Sequence, residues 1–131
     1  MKSPGQGFNA LFDDGKMYYI DCPTDSLVTI DLATHTILNN VQVRSLGAEP
    51  VRCGDTIYGL NDDIFSGYPP ILYMFTRAGS LKGELDLSAE YVGWGFDFYS
   101  SGKYLYWHTY DGKKFSFVRL DTDTKIGRAH V

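Results

Sequence analysis

The sequence predicts an all-β fold made of three tandem units, each with four short antiparallel strands. Aromatic residues make up 15% of the chain, and Tyr and Phe suit the half-buried surface of a sheet. Apolar and polar residues alternate over short runs that turn residues separate. One phrase also recurs three times. We therefore expect a single domain over residues 1–131, with units at about 8–43, 44–88 and 89–131.

The recurring phrase has two parts. The first part is Gly-x-x-hydrophobic-Tyr, and it begins at Gly15, Gly54 and Gly102. The second part is an alternating strand 45 residues apart in both steps, and it begins at Leu27, Leu72 and Phe117. The spacing between successive copies varies more for the first part than for the second. The length changes are therefore expected in hairpin loops, where insertions cost little.

Each unit divides into four strands at turn residues. In the first unit, "DDG", "PTDS" and "ATHT" mark the turns, since Gly allows positive φ, Pro presets φ, and Asp and Ser bond back to the chain. Its predicted strands are 8–12, 16–22, 27–32 and 37–43. Those of the second unit are 49–53, 55–60, 71–77 and 81–87. Those of the third are 95–99, 103–109, 115–120 and a short 126–131.

Four antiparallel strands every 40 to 45 residues is the period of a β-propeller blade. The segments "MYYIDCPTDSLVTIDLATHT" and "YLYWHTYDGKKFSFVRLDTDT" resemble blades of the group that includes the YWTD, NHL, SMP-30/lactonase and YVTN-type repeats. The resemblance implies the architecture and no catalytic residue, because His108 stands where the YWTD pattern has Asp.

Three units fall short of the four to eight blades of a closed ring. Two chains could complete a six-bladed ring as a twofold pair, or the chain could be part of a larger propeller. A single β-sandwich or barrel of ten to twelve strands is the alternative fold, because short strands with regular turns fit that class too.

Composition argues against several classes of partner. The net charge is −4, and the twelve Lys and Arg are scattered, whereas a nucleic-acid binder usually has a basic face. No apolar run reaches membrane-spanning length. The N-terminal stretch lacks the apolar core of a signal peptide, so we expect a cytoplasmic protein. Cys22 and Cys53 are expected to be small buried hydrophobes in a reduced protein, with a single disulfide between them left open.

Three oxygen-bearing residues are candidate metal ligands. Glu49 and Asp97 each lie five residues before an anchor glycine, on strands that would line a central channel, and Asn9 has a similar place in the first unit. Such oxygens suit Ca²⁺, the one cofactor considered. The alternative is that they are solvated or bond to the backbone.

Surplus aromatic residues are the candidate ligand contacts. Trp94 is flanked by glycines, Tyr68 lies in "FSGYPP", Tyr110 lies in "YDG", and His108 follows Trp107 on an aromatic strand. Exposed aromatic side chains are frequent binding anchors, although packing in the core is the ordinary fate of each ring.

No nucleophile, redox or phosphate-binding motif is present in the sequence. The sequence therefore predicts a non-enzymatic binding module, completed by self-association, for a protein or a carbohydrate. The alternatives are a metal-dependent hydrolase of the lactonase or glycan-acting kind, and a piece of a larger propeller with no separate function.

Overall fold

The computed structural model describes residues 10–43, 50–61, 71–87, 94–110, 113, 115–124 and 127–130. Within these ranges the chain forms twelve strands and one 3-10 turn, at Cys22–Thr24. The strands are β1 (Ala10–Asp13), β2 (Lys16–Asp21), β3 (Ser26–Asp31), β4 (Thr36–Gln42), β5 (Val51–Cys53), β6 (Thr56–Leu60), β7 (Ile71–Thr76), β8 (Leu81–Asp86), β9 (Trp94–Ser101), β10 (Tyr104–Tyr110), β11 (Phe115–Asp121) and β12 (Gly127–His130).

The strands form three separate four-stranded sheets, in the orders β1-β2-β3-β4, β5-β6-β7-β8 and β9-β10-β11-β12. Every pairing joins strands that are consecutive in sequence and antiparallel. Each predicted strand thus corresponds to an observed one. The three-sheet arrangement confirms the tandem units and replaces the alternative of one sandwich or barrel.

The first strands of the three sheets are neighbours. β1 contacts β5, and β5 contacts β9. Arg52 on β5 binds Asp13 on β1 at 2.8 Å, and the Ser100 hydroxyl on β9 donates to the Arg52 carbonyl at 2.7 Å. The fourth strands of the first two sheets, β4 and β8, are largely exposed. The sheets are therefore stacked side by side with their first strands together.

Register corrects one detail of the sequence repeat. The β1–β2 turn is Asp14-Gly15, and both of its residues have positive φ, 50° and 71°. In the other two sheets a glycine occupies the first turn position instead, Gly54 with φ 63° and Gly102 with φ 58°. Gly15 therefore lies one turn position later than Gly54 and Gly102, and the sequence alignment of the three glycines is shifted by one residue in the first unit. Tyr18, and not Tyr19, corresponds to Tyr58 and Tyr106.

One face of each sheet, here called the trailing face, points toward the next sheet along the chain. Its central row holds four positions, two on the second strand and two on the third, which pair across the ladder. In the first sheet these are Tyr18, Ile20, Leu27 and Thr29; in the second, Tyr58, Leu60, Leu72 and Met74; in the third, Tyr106, His108, Phe117 and Arg119.

The opposite face, here called the leading face, points toward the preceding sheet and alternates with the trailing face along each strand. Its row is Met17, Tyr19, Val28 and Ile30 in the first sheet; Ile57, Gly59, Tyr73 and Phe75 in the second; and Leu105, Trp107, Val118 and Leu120 in the third.

Two apolar clusters fill the spaces between the sheets. Tyr18, Ile20 and Leu27 pack against the leading face of the second sheet. The trailing face of the second sheet packs in turn against the leading face of the third, where Leu105, Trp107, Val118 and Leu120 are all at most 2% exposed. Because the middle sheet is covered on both faces, all five residues of β6 are buried. Burial of these faces is the main stabilising term for the stack.

A β-bulge interrupts the third sheet. β9 and β10 are in register up to the Tyr106–Tyr99 pair and resume at His108–Phe96, so Asp97 and Phe98 lie opposite the single residue Trp107. The strict alternation that the sequence predicts around Asp97 is therefore broken at that point. Cys53 is a buried free thiol whose Sγ donates to the Gly102 carbonyl at 3.2 Å.

In the part of the chain that the structure describes, no helix has the length and apolar character needed to cross a membrane.

Candidate functional site

The trailing face of the third sheet is a continuous aromatic surface, here called the aromatic face, on β10 and β11. The Tyr106 and Phe117 rings stack with centroids 5.5 Å apart. The His108 ring lies 5.5 Å from Phe117, and the Tyr104 ring 6.3 Å from Tyr106. Phe117 is the direct cross-strand neighbour of His108 and the diagonal neighbour of Tyr106. Tyr104 and Tyr106 lie two residues apart on β10 and so share the same face.

Two cations border the aromatic face at the Tyr104 ring. The Arg119 guanidinium lies 4.7 Å from the ring centroid, and Lys103 Nζ lies 5.5 Å from it, within the range of cation–π attraction. Lys103 also binds Asp121 at 3.1 Å. Partial burial raises the pKa of the Asp121 carboxyl, but hydrogen bonds from Lys103 and from the Asp123 and Thr124 amides outweigh it and lower the pKa overall. Asp121 therefore stays ionised.

Exposure distinguishes the aromatic face from the same face in the other two sheets. The corresponding first-sheet residues Tyr18, Ile20 and Leu27 are at most 5% exposed. Phe117, the counterpart of Leu27 and Leu72, is 37% exposed. Phe115 and Tyr99 on the same side of the third sheet are 62% and 57% exposed. Positions that are used for packing between sheets thus present aromatic rings to the surface here.

The junction between the first two sheets shows how a trailing face engages its neighbour. The Tyr18 hydroxyl donates to the backbone carbonyl of Arg77, in the β7–β8 turn. The Arg77 side chain returns to bind Asp14 at 2.9 Å and Asp13 at 3.6 Å. Burial, and then the Asp13 carboxylate, raise the pKa of the Tyr18 phenol. The tyrosine therefore remains a neutral donor at the rim of the junction.

The substitution Tyr18→Phe is expected to reduce the free energy of unfolding by about 1 kcal/mol, because the Arg77 carbonyl loses its partner. The raised pKa also sets the pH dependence. The stability linked to the neutral phenol is present below the ordinary tyrosine pKa of 10.0 and falls as the pH rises above it. Urea unfolding of both proteins from pH 8 to 11 measures this effect.

Tyr99→Phe, at a 57% exposed ring, is the matched control and should unfold like the original protein. If Tyr18→Phe keeps the full alkaline loss of stability, the titration does not arise at Tyr18.

A surface cavity of about 330 Å³ lies at the junction of the second and third sheets, with Cys53, Tyr58, Lys103, Thr122 and Asp123 in its lining. Thr122 holds the position that Arg77 occupies in the second sheet, because each follows the residue paired with the start of the second strand, Asp121 and Thr76 respectively. The long Arg77 side chain spans its junction, whereas the shorter Thr122 leaves the corresponding space open.

Known proteins of solved structure are similar to this fold. No protein-family model and no curated protein matches the sequence. Among solved structures, BamB from Moraxella catarrhalis is similar with a TM-score of 0.59 and 16% identity over 90% of this chain and 34% of BamB. The dihydro-heme d1 dehydrogenase NirN, in complex with DHE, is similar with a TM-score of 0.64 and 13% identity over 92% of this chain and 27% of NirN.

Both of these proteins are β-propellers. The fold is that of part of a β-propeller. The chain spans 34% and 27% of the lengths of these two structures, and identities this low show the fold alone. No particular repeat family among those that the sequence resembles is singled out by the likeness.

Of the residues predicted to contact a ligand, His108 is the one whose side chain the structure describes. It is half-buried on the aromatic face. The sequence predicts Tyr110 in a turn and Trp94 as a glycine-flanked surface residue, whereas in the structure Trp94 begins β9, Tyr110 ends β10 and the two are directly paired. Tyr68 lies outside the described residues. The ligand roles of Trp94, Tyr68 and Tyr110 remain predictions.

Of the three predicted metal ligands, Asn9 and Glu49 lie outside the described residues. Asp97 has a described backbone position in the bulge. Among the described side chains no three His, Cys, Asp or Glu residues form a metal-binding group. The Ca²⁺ site therefore remains a prediction.

Tyr106, Phe117 and Arg119 are not among the ligand contacts that the sequence predicts. The signal was present in the 45-residue spacing, which aligns Phe117 with Leu27 and Leu72. Because Phe117 aligns with two residues that pack between sheets, its side of the third sheet is expected to be a packing surface too. The polar Arg119, aligned with Thr29 and Met74, marks that face as different from its two counterparts.

Proposed function

We propose that this chain is a non-enzymatic propeller module that binds another protein through the aromatic face of its third sheet. One observation carries the proposal. Tyr106, His108, Phe117 and Arg119 occupy the positions that pack against a neighbouring sheet in the first two units, yet they are half-buried or exposed. The natural ligand of such a row is an apolar sheet face.

Chemistry of the face supports a protein ligand over a carbohydrate. Tyr and Arg are enriched where proteins bind one another, and rigid rings contribute large contact area at low entropic cost. Arg119 is already placed against the Tyr104 ring at 4.7 Å, so the cation is held within the face. Phe115 and Phe117, which offer no hydrogen bonds to sugar hydroxyls, are 62% and 37% exposed within it.

Site-specific photo-crosslinking tests the proposal. A benzoylphenylalanine at Phe115, which is 62% exposed, is expected to give a protein adduct whose crosslinked peptide comes from a β-sheet surface. Arg119→Glu should weaken the adduct because it reverses the charge over Tyr104. The matched control places the same probe at Leu81, which is 42% exposed on the outer strand β8, and should give no such adduct.

Two results would overturn the proposal. One is equal labelling from positions 115 and 81, which would show that the aromatic face has no preference for a partner. The other is no protein adduct, together with amide shifts at Tyr106 and Phe117 on titration with β-linked hexasaccharides. That pair of results would make the face a carbohydrate site.

A further inference from the structure

We infer that the protein that docks on the aromatic face is a second copy of this chain, which presents the leading face of its first sheet. This inference rests on the proposed function and names its partner. Two copies would then form two identical contacts about a twofold axis and close a ring of six sheets.

The leading face of the first sheet is the matching half of the interface. Its row Met17, Tyr19, Val28 and Ile30 is apolar throughout. The same row is at most 4% exposed at Ile57, Tyr73 and Phe75 in the second sheet and is fully buried in the third. In the first sheet Val28 is 3% exposed, whereas Met17, Tyr19 and Ile30 remain half-buried.

Two further side chains extend this surface. Phe12 pairs with Met17 and is 66% exposed, and Ile37 pairs with Ile30 and is 64% exposed. A sheet face with this much exposed apolar surface is typical of a binding surface. The chain already joins a trailing face to a leading face at two places, between its first and second sheets and between its second and third. The aromatic face and the leading face of the first sheet provide one further face of each kind.

The internal repeat also specifies a contact across the new junction. Tyr18 donates to the carbonyl of Arg77 in the next sheet. Tyr106 corresponds to Tyr18, and Leu32 corresponds to Arg77, because Leu32 and Thr122 donate equivalent turn hydrogen bonds to Gly15 and Lys103. Tyr106 of one copy should thus donate to the Leu32 carbonyl of the other.

Charges at the rim are compatible with this pairing. Asp13 and Arg77 form the ion pair at the first junction. Their counterparts at the new junction are Ser101 and Leu32, which are both uncharged. These two positions therefore add no unpaired ion to the junction, a defect that costs several kcal/mol where it occurs.

Geometry of closure favours a pair. Six sheets fall within the range of about four to eight blades found in closed propellers, whereas three do not. Twofold symmetry is the commonest arrangement of soluble homo-oligomers, and here it satisfies both exposed end faces of both chains at once. A longer open array would leave one face of each kind uncovered.

Solution mass by light scattering tests the inference, and the protein is expected to have twice its chain mass of 14.7 kDa. Phe117→Asp damages the aromatic face, and Ile30→Asp damages the first-sheet face. Each variant alone should be a monomer, because both of its junctions then carry one damaged face. An equimolar mixture should recover heterodimers, since one junction in such a pair has two intact faces.

One control and one milder test variant keep the experiment interpretable. Leu81→Asp, on the exposed strand β8, should leave the mass unchanged. Tyr106→Phe removes only a hydroxyl, so folding is preserved. It should weaken dimerisation roughly 30-fold, because each dimer has two such hydrogen bonds and each contributes about fivefold. Far-UV circular dichroism confirms that every monomeric variant is folded.

The results that would overturn this inference differ from those that would overturn the proposed function. A folded monomer for the original protein overturns the second-copy partner. So does a dimer that Phe117→Asp abolishes and Ile30→Asp leaves intact, since two aromatic faces would then be paired with each other. If crosslinking from position 115 still yields a sheet peptide of another protein, the binding module stands and its partner is different.

Discussion

Replacing Trp107 with alanine is expected to reduce the free energy of unfolding by about 4 kcal/mol, the cost typical of truncating a buried tryptophan. Trp107 is 2% exposed and lies in the cluster that joins the second sheet to the third, with Tyr58, Leu60 and Leu72. A loss of this size is a large share of the total stability of an ordinary domain. Urea unfolding followed by far-UV circular dichroism measures it.

Phe115→Ala is the matched control for Trp107→Ala. Its ring is on the same sheet but 62% exposed, and surface truncations of this kind usually change stability by no more than about 0.5 kcal/mol. A loss below about 1 kcal/mol for Trp107→Ala would mean that the third sheet does not pack on the second through this ring.

Strand positions could be predicted from the sequence because alternation and turn residues are local signals. The anchors Leu27, Leu72 and Phe117 identify equivalent positions correctly, since they lie on strands that are packed on at least one side. The Gly15 anchor was one residue out of line. A two-residue turn can place its glycine first or second, and Asp14 accepts the other positive φ, 50°. Glycine therefore marks a turn but not its register.

Side-chain direction around Asp97 could not be predicted from alternation. The bulge places Asp97 and Phe98 opposite Trp107, and a bulge depends on the partner strand as much as on its own residues. The paired positions of Trp94 and Tyr110 were missed for a related reason. Their flanking glycines and "YDG" suggested loops, whereas pairing across the ladder extends both strands to these residues.

Comparison of whole faces, and not of single motifs, is what identifies the aromatic face. Phe117 or Tyr106 alone is an ordinary strand residue. Aligned with Leu27 and Leu72, or with Tyr18 and Tyr58, each occupies a position that the other two units bury. The same comparison shows that the first sheet has an apolar row at positions that the second and third sheets bury completely. In a repeat protein, comparison of equivalent positions thus identifies the sheet faces that lack a neighbouring sheet.

Replacing Gly79 with alanine is expected to destabilise the protein by roughly 3 kcal/mol, the combined scale of backbone strain and overpacking. Gly79 lies in the β7–β8 turn with φ +92°, where L side chains are strained. An added Cβ would also lie 2.1 Å from Thr29 Oγ1 and 2.9 Å from Thr29 Cβ. Thr29 is fully buried on the trailing face of the first sheet, so neither group can move away freely.

Gly54→Ala separates the contribution of backbone strain from that of overpacking. Gly54 has φ +63°, and an added Cβ there would meet no atom within 4 Å, so only the strain of about 1 kcal/mol should appear. The double variant Gly79→Ala with Thr29→Ala should recover part of the loss, because the nearest clashing atom is gone. Urea unfolding of all four proteins provides the comparison. Equal losses for Gly79→Ala and Gly54→Ala would show that the turn of the second sheet does not press against Thr29, and the junction between the first two sheets would need a different packing.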